Sequence, residues 1–337
     1  MFGRVLAAVI VLAVALVLLV IGWPQLLGLE QVDGVLQVVA LRGACALMAI
    51  VLVVLLLLAM AAARRARRFL GAFVVLLVAF IALQGVALGS RGLVPGSIAA
   101  AGDTTITVLS WNTKGGAVPA QELAELATQS EADVIALPET TARYAGEVRD
   151  LLVAARGEWQ LFTAAYDEIS PARSTSLLVS RRLGAYTSNT EQATTGQLPS
   201  VVAMPADGDG PTIVAVHAVS PTDPTTWRND IAWLADACAA GDDVIMAGDF
   251  NSTIDHWAHH IDTSVPRARL GACLDAAEAG GQGGQGTWPT NVPALLGSPI
   301  DHVLASAGWR FVGFRVIGAE DDAGSDHRPI LARLAAG

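Results

Sequence analysis

The sequence predicts an α/β protein in which transmembrane helices precede a domain of alternating strands and helices. Hydrophobic residues make up 53% of the 337 residues, and the mean hydropathy is +0.50, which is too apolar for an ordinary soluble protein. The excess lies in the first 90 residues. After residue 103, short β-branched runs alternate with Ala- and Leu-rich segments, which is typical of an α/β domain.

Three apolar runs near the N-terminus each approach or exceed the roughly 20 residues that a helix needs to cross a bilayer. They are Val5 to Ile21, Val35 to Ala63, in which Arg42 is the only charged residue, and Phe69 to Leu88. We therefore expect three transmembrane helices. A cleavable signal peptide or a signal anchor is the alternative for the first run, and the two runs behind it favour a transmembrane helix of a multi-span region.

The distribution of arginine predicts the orientation of these helices. Four arginines lie between residues 64 and 68, in the connection from the second run to the third, and Arg4 precedes the first run. The connection between the first and second runs carries Glu30 and Asp33 instead. Cytoplasmic loops are enriched in Lys and Arg, so three spans would put everything after residue 90 on the extracytoplasmic face of the cell membrane.

Composition divides the chain into three parts. Residues 1–90 form the predicted membrane region, residues 91–103 form a linker rich in Gly, Ala and Ser, and residues 104–337 form a domain with room for a substantial core. Its predicted strands are Thr105 to Ser110, Val134 to Leu137, Ser176 to Ser180, Thr212 to Val216, Val244 to Ala247, Ile300 to Ala305 and Pro329 to Ala332. Its predicted helices are Pro119 to Ser130, Tyr144 to Arg156, Pro224 to Ala240 and Leu270 to Ala279.

The domain that follows the membrane region is acidic. Outside the first 90 residues there are 15 basic and 29 acidic residues, a formal balance of about −14. Proteins that bind nucleic acid by neutralising phosphates normally carry basic patches, so this balance argues against tight, nonspecific binding of DNA. Solubility is the simplest explanation of the acidity.

The most informative motif is Gly248-Asp249-Phe250-Asn251, which follows the apolar run Val244 to Ala247. A buried strand would deliver Asp249 and Asn251 to its end, on one face. An isolated Asp-x-Asn after a strand is usually an Asx turn, so this motif alone would not indicate a catalytic site. Further polar residues at strand boundaries strengthen the case, and they are Asn112, Glu139, His217, Asp301, Asp326 and His327.

Taken in order, these motifs resemble the endonuclease/exonuclease/phosphatase superfamily, whose members include DNase I-like nucleases. The resemblance spans residues 105 to 335 and implies a four-layer sandwich of two mainly antiparallel β-sheets flanked by helices. The Ala/Val/Arg-rich composition suggests a bacterial member. The motifs that carry the resemblance are Trp111-Asn112, Leu137-Pro138-Glu139, His217, Gly248-Asp249-Phe250-Asn251, Ile300-Asp301-His302-Val303 and Ser325-Asp326-His327-Arg328-Pro329.

The resemblance implies a divalent metal site. Asn112 and Glu139 would help to hold Mg²⁺, or Mn²⁺ in its place, and Asp326 would be a further carboxylate on the metal side. Oxygen ligands of this kind suit a hard cation that keeps several waters.

The resemblance also implies roles for five residues that touch or orient the substrate. Asp249 would orient or deprotonate the attacking water, and Asn251 would donate a hydrogen bond to the scissile phosphate. Asp301 would orient His327, and His217 would donate to a phosphate oxygen as negative charge develops. Which of Asp249 and His327 acts as the base is open at this point.

Two positions depart from the common pattern of the family. Many relatives carry Gln before the metal-binding glutamate, where this chain has Pro138, and nucleases often carry Tyr where this chain has His217.

From the resemblance and the predicted spans, we expect a membrane-tethered, Mg²⁺-dependent phosphoesterase acting on a lipid headgroup, a nucleotide or a nucleic acid. The alternatives are an extracellular nuclease and an inactive, membrane-anchored binding module. The expected partners are the lipid bilayer and this substrate, and no protein partner is indicated.

Three other features leave alternatives open. Cys238 and Cys273 would form a disulfide in an oxidising compartment, or else remain two buried thiols. His256, His259 and His260 with Asp255 and Asp262 are read as a solvated loop or helix in preference to a metal site. The segment Gly280 to Gly286 before Trp288 fits a substrate-contacting loop and a plain linker equally well.

Overall fold

The computed structural model describes residues 2–94, 96–98, 100, 102, 104–166, 170–188, 194–239, 241 and 243–337. Its helices are α1 (Phe2–Gly22), α2 (Val35–Val39), α3 (Arg42–Ala62), α4 (Arg67–Arg91), α5 (Ala120–Gln129), α6 (Ala142–Arg156), α7 (Pro224–Asp236) and α8 (Ala276–Ala279). Its strands are β1 (Thr105–Ser110), β2 (Val134–Pro138), β3 (Trp159–Ala165), β4 (Ser174–Ser180), β5 (Tyr186–Ser188), β6 (Val201–Pro205), β7 (Thr212–His217), β8 (Val244–Asp249), β9 (Leu274–Asp275), β10 (Asp301–Ala305), β11 (Trp309–Val316) and β12 (Ile330–Ala336). Residues 95, 99, 101 and 103 of the predicted linker, and residue 240 at the end of a predicted helix, lie outside the described residues.

Three N-terminal helices, α1, α3 and α4, are long and apolar enough to span a membrane. Most of their apolar side chains are exposed, as on a surface that faces lipid. The second run is not one continuous helix, as the apolar pattern suggested, because α2 ends at Val39 and α3 begins at Arg42. Arg42 therefore lies at the end of a span, which spares its charge from the centre of a bilayer.

The remainder of the chain is a sandwich of two six-stranded sheets. The strand order is β11-β12-β1-β2-β4-β3 in the first sheet and β5-β6-β7-β8-β10-β9 in the second. Each sheet has one parallel pair, β1 with β2 and β7 with β8, and its other pairs are antiparallel. Helices α5 and α6 cover the first sheet and α7 covers the second, which confirms the predicted sandwich of two mainly antiparallel sheets flanked by helices.

Side-chain alternation along the central strands explains why the sheets can be covered on both faces. Val108 packs into the core between the sheets, whereas its neighbour Leu109 packs beneath α5 and α6. In the second sheet, Ile245 faces the inner core and Met246 packs beneath α7. Successive side chains of a strand point to opposite faces, so a strand buried on both sides appears as an unbroken apolar run. This pattern identified most central strands from sequence alone.

The sequence missed five strands and misread one helix. Strands β3, β5, β6, β9 and β11 were not predicted, whereas the run Leu270 to Ala279 was expected to be helical and only its last four residues are. Gly271 has a φ of +54°, and a Cβ there would lie 2.3 Å from the Ala235 carbonyl oxygen. The close contact with α7 thus sets the local backbone conformation. The helix starts only after Asp275, whose side chain accepts a hydrogen bond from the Glu278 amide.

A disulfide joins Cys238 to Cys273, 35 residues apart, which confirms the first of the two alternatives for these cysteines. The bond links the segment after α7 to the segment before β9. Both sulfur-bearing residues are buried in the cluster between α7 and the second sheet.

A buried ion cluster joins the membrane region to the sandwich. The Asp255 carboxylate accepts hydrogen bonds from the guanidiniums of Arg42, at 2.6 and 2.8 Å, and of Arg91, at 2.6 and 2.8 Å. Burial alone would raise the pKa of Asp255, but the two arginines outweigh it and hold that pKa far below its usual range. Asp255 and His256 are buried, so the expectation of a solvated segment is wrong for them.

Replacing Asp255 by Ala should destabilise the full-length protein by about 3 to 5 kcal/mol, because two buried guanidiniums would lose their counter-charge. Thermal denaturation in detergent measures this. Arg143→Ala is the control, since its pair with Glu147 is exposed and should contribute under about 0.5 kcal/mol. Equal midpoints for the two variants would contradict a structural role for the ion cluster.

Gly248 allows the closest approach between the parallel strands β7 and β8. Its φ is +151°, and a Cβ there would lie 2.0 Å from the Val216 carbonyl oxygen. We expect Gly248→Ala to lower the free energy of unfolding by at least about 2 kcal/mol, because the side chain would force the pairing apart.

The matched control for this substitution is Gly146→Ala, in the middle of α6. A Cβ at Gly146 meets nothing within 4 Å, so alanine should stabilise the helix by about 0.5 to 1 kcal/mol. Chemical denaturation of both variants measures the difference. A neutral effect at Gly248 would show that the two strands can separate without loss.

Candidate active site

All eight residues singled out in the sequence lie at one edge of the sandwich. Strands β1, β2, β7 and β8 end at this edge, and the antiparallel strands β10 and β12 begin there. The register places His217 and Asp301 on either side of Asp249. Strand pairing therefore brings together residues that lie far apart in the chain.

Asn112 links two of the predicted carboxylates. Its side-chain nitrogen donates to Glu139 Oε1 and to Asp249 Oδ2, each at 3.1 Å. Its side-chain oxygen accepts from the Lys114 amide at 2.9 Å. A donating amide nitrogen has no lone pair for a cation, so Asn112 orients the carboxylates here and could ligate a metal only with its amide turned over.

Two site residues adopt a left-handed backbone conformation at strand ends. Glu139 has a φ of +52° and Asn251 has a φ of +45°. The Asn251 amide donates to Asp249 Oδ1 at 2.9 Å, and its side chain donates to the Ala218 carbonyl at 2.9 Å. Strained conformations of non-glycine residues are concentrated at functional sites, and here they turn a carboxylate and an amide toward the cavity.

His327 lies between two buried carboxylates. Its Nδ1 donates to Asp301 Oδ2 at 2.9 Å, and its Nε2 lies 3.7 Å from Asp249 Oδ2. Burial alone would lower the pKa of His327, but the charges of Asp301 and Asp249 outweigh it and raise the pKa to about 10. Burial also raises the pKa of Asp249, partly offset by the charge of His327. His327 is thus held as an imidazolium, with Nε2–H free of any close partner among the described residues.

His217 differs from His327 in its charge. It is buried, and burial together with the positive charge of His327 lowers its pKa to about 3. Its Nδ1 lies 3.4 Å from Thr175 Oγ1, and its backbone amide donates to Ser200 Oγ at 3.0 Å. A neutral imidazole has one N–H donor, so His217 can donate a single hydrogen bond.

Asp326 has neighbours that sequence reasoning did not assign. Trp288 Nε1 donates to Asp326 Oδ2 at 3.2 Å, and Lys114 Nζ lies 3.7 Å from Asp326 Oδ1. Trp288 also lines the site cavity, which favours the substrate-contacting alternative for its loop. The preceding glycines do not form a free linker, because the Gly283 amide donates to the Arg91 carbonyl at 3.0 Å.

His302 lies outside the site despite its place in a motif. Its Nδ1 pairs with Asp275 at 2.7 Å, and its Nε2 bonds the Ser252 carbonyl at 3.0 Å. Its ring packs edge-on to Phe250, with centroids 5.5 Å apart. Both ring nitrogens therefore have partners within the fold.

The side chains at this edge fit a hard divalent cation. Asp249, Asp301 and His327 place potential ligand atoms within 4.8 Å of one another. An imidazolium offers no lone pair, however, which favours the carboxylates of Glu139 and Asp326 as the better ligands. Both of these are partly exposed and line the cavity, where a cation could keep its waters.

The site opens into a cavity of about 630 Å³. It is lined at one part by Glu139, His217, Asp249, Asn251, Asp326 and His327, and elsewhere largely by apolar side chains. Convergent polar groups in a mainly apolar cavity are typical of a small-molecule or catalytic site.

Comparison with known proteins agrees with this fold. A match to the Endonuclease/Exonuclease/phosphatase family covers residues 109–327, whereas no curated protein sequence matches the chain. Humanized D. rerio TDP2 with 14 mutations, and D. rerio TDP2 complexed with single strand DNA product, are each 17% identical to the chain. Each superposes with a TM-score of 0.50 over 69% of this chain and 100% of the other.

A family protein from Leptotrichia buccalis C-1013-b is 14% identical and superposes with a TM-score of 0.50 over 68% of this chain and 99% of the other. At such identities the solved structures support the fold alone. Enzymes of this family typically hydrolyse phosphoester bonds and depend on divalent metal ions. With the family match covering most of the sandwich, the chain belongs to the endonuclease/exonuclease/phosphatase family.

Proposed function

We propose that the protein is a membrane-tethered, Mg²⁺-dependent phosphoesterase, with Mn²⁺ as an alternative metal, that hydrolyses a phosphoester by attack of water on phosphorus. The observation that carries the proposal is the buried row Asp301, His327 and Asp249 beside the carboxylate of Glu139. A phosphoester is anionic, so its hydrolysis needs positive charge, a base and donors that hold its oxygens.

Glu139 and Asp326 are the proposed metal ligands, and Asn112 would join them only with its amide turned over. A bound divalent cation would offset the charge of the phosphate and polarise its P–O bonds. Lys114, near Asp326, adds a second positive charge on the same side.

Asp249 is the proposed base. Its raised pKa brings the carboxylate closer to the operating pH of a general base, and Asp249 lines the cavity. His327 keeps its proton and therefore cannot take one from water. Asp301 holds the His327 ring through Nδ1, which leaves Nε2–H as a cationic donor for the negative charge that develops on phosphate oxygen.

Two further donors are proposed to position the phosphate. Asn251 uses one amide hydrogen on the Ala218 carbonyl, and the other remains for a phosphate oxygen. His217 is neutral and can donate one hydrogen bond without adding charge. Both residues line the cavity beside Asp249 and His327.

Two observations support the proposal of a multi-pass protein with an extracytoplasmic sandwich. Arg42 and Arg91, at the ends of candidate spans, hold the sandwich at the opposite end of α3 and α4 from the arginines between residues 64 and 68. If those arginines lie in the cytoplasm, the sandwich lies outside. The disulfide between Cys238 and Cys273 suits an oxidising compartment.

The alternatives have less support. A nuclease would need cations along its groove, and the described residues that line the cavity include neither Lys nor Arg. An inactive binding module would have no use for the buried carboxylates and the imidazolium that the site retains.

His327→Ala and Asp249→Asn should each lower kcat/KM by about 100- to 10,000-fold, because each removes a charge or base used in the transition state. The full-length protein is assayed with bis(p-nitrophenyl) phosphate and with phosphomonoesters, in Mg²⁺, in Mn²⁺ and in chelator. Asp150→Asn, on an exposed carboxylate, is the matched control and should retain full activity. Turnover that persists in chelator, or in both site variants, would contradict the proposal.

The rate should fall as pH rises through the pKa of His327, about 10, because the imidazolium then loses its proton. This pKa is raised from an unfolded value of 6.5, so the contribution of the His327 charge to stability is fully present below pH 6.5 and is lost as pH rises from 6.5 through about 10. In Asp301→Asn the neighbouring negative charge is gone, and the alkaline limb of the pH–rate profile should move to lower pH. An alkaline limb that stays in place would assign it to another group.

A further inference from the structure

The membrane region supplies part of the active-site cavity. Gln37, Ala40 and Leu41, from the connection between the first two candidate spans, line the same cavity as Asp249 and His327. We call residues 37–41 the connection wall. The catalytic sandwich therefore does not complete its own substrate site.

The connection wall is fixed to the sandwich. Leu36 and Val39 are 0% and 1% exposed, although they lie beside residues that line the cavity. His256 Nε2 bonds the Leu36 carbonyl at 2.8 Å, and the Gln37 side chain donates to the Pro221 carbonyl at 2.8 Å. The buried apolar side chains and these hydrogen bonds favour a rigid wall.

The connection wall also lies at the end of a candidate span. Leu41 directly precedes Arg42, the first residue of α3. One residue further on, the backbone of Gly43 packs so closely on the sandwich that a Cβ would lie 1.7 Å from the Leu295 carbonyl oxygen. Leu295 is itself 51% exposed, as an apolar side chain at a lipid surface would be. One wall of the cavity thus lies at the level where α3 would leave the bilayer.

The part of the cavity beside the connection wall is apolar. Ala40 and Leu41 share it with Leu198, Val219 and Pro221. Among the described lining residues none is Lys or Arg, so a long polyanion would find little positive charge in the cavity beyond that of Lys114 beside Asp326. An apolar group attached to a phosphate would instead bury surface against these side chains.

We propose that the connection wall is a specificity determinant that selects a membrane lipid phosphoester, whose apolar part lies against Leu41 and Ala40 while its phosphate reaches Asp249 and His327. This inference rests on the proposed phosphoesterase function and narrows it to a substrate class. A water-soluble headgroup with the same phosphoester would occupy only the polar part of the cavity.

The test compares each lipid with its own deacylated headgroup. Full-length protein in lipid nanodiscs is assayed with phosphatidylglycerol, phosphatidylcholine and phosphatidylinositol, and with the corresponding glycerophosphodiesters, in Mg²⁺ and in Mn²⁺. At least one acylated substrate should be preferred in kcat/KM by about tenfold or more over its deacylated form. A preference for deacylated forms, or none at all, would overturn the inference and leave the phosphoesterase proposal standing.

Substitutions in the connection wall test the role of Leu41. Leu41→Asn should lower the ratio of acylated to deacylated kcat/KM by about tenfold, because a polar group would face the apolar part of the substrate. Leu27→Asn is the matched control, since Leu27 is 48% exposed, lies in the same connection and is not among the residues that line the cavity. Ala40→Phe, which fills the cavity without adding polarity, should lower the same ratio if Leu41→Asn fails to fold.

The outcomes separate the two proposals. An unchanged ratio in Leu41→Asn and Ala40→Phe, or equal falls in Leu41→Asn and Leu27→Asn, would overturn the role of the connection wall. An increase in turnover of soluble diesters in the wall variants would do the same, since it would mark the wall as a barrier. No turnover of any substrate with either metal would contradict the phosphoesterase proposal and, with it, this inference.

Discussion

The parallel pairing at the centre of each sheet is the constraint on which the rest of the site depends. Parallel strands end at the same edge of a sheet, so β1 with β2, and β7 with β8, deliver their last residues to one place. The close approach of β7 and β8 requires a glycine at position 248, immediately before Asp249. The residues of the site motif therefore also determine how the strands of the sheet pack.

The charges at this edge are buried, and opposite charges compensate one another. Asp301 and Asp249 are nearly inaccessible to water, and the imidazolium of His327 lies between them. An isolated buried carboxylate would take up a proton and become neutral. The two carboxylates and the imidazolium therefore stabilise one another's charges. His217, a short distance away in the same register, is kept neutral by burial and by that cation. The two histidines at this edge thus differ in protonation state because their neighbouring charges differ.

A second buried charge cluster joins the sandwich to the membrane region. Asp255 is bound by arginines that follow one candidate span and begin another, and these three side chains are almost completely buried. The connection wall, residues 37–41, also lies against the cavity, where Gln37 donates to the Pro221 carbonyl. The arrangement of the candidate spans is thereby coupled to the shape of the proposed substrate site.

The sequence by itself determined the two-part organisation and the order of the site motifs. Long apolar runs identify candidate spans because a bilayer imposes a length and a composition, and unbroken apolar runs identify strands that are buried on both faces. Polar residues at the ends of such strands indicated the candidate site, because the apolar runs show where each strand ends. Strands at or beside a sheet edge, such as β5 and β6, are less buried and have a weaker pattern, and they were missed.

Only the tertiary structure decided which residues meet across long separations in the chain. The misread helix at Leu270 follows from a contact with α7, and the ion pairs of Asp255 join it to residues more than 160 positions away. The protonation of His327, the neighbours of Asp326 and the connection wall also arise from such contacts. Local patterns cannot encode them, because they depend on how separate elements pack.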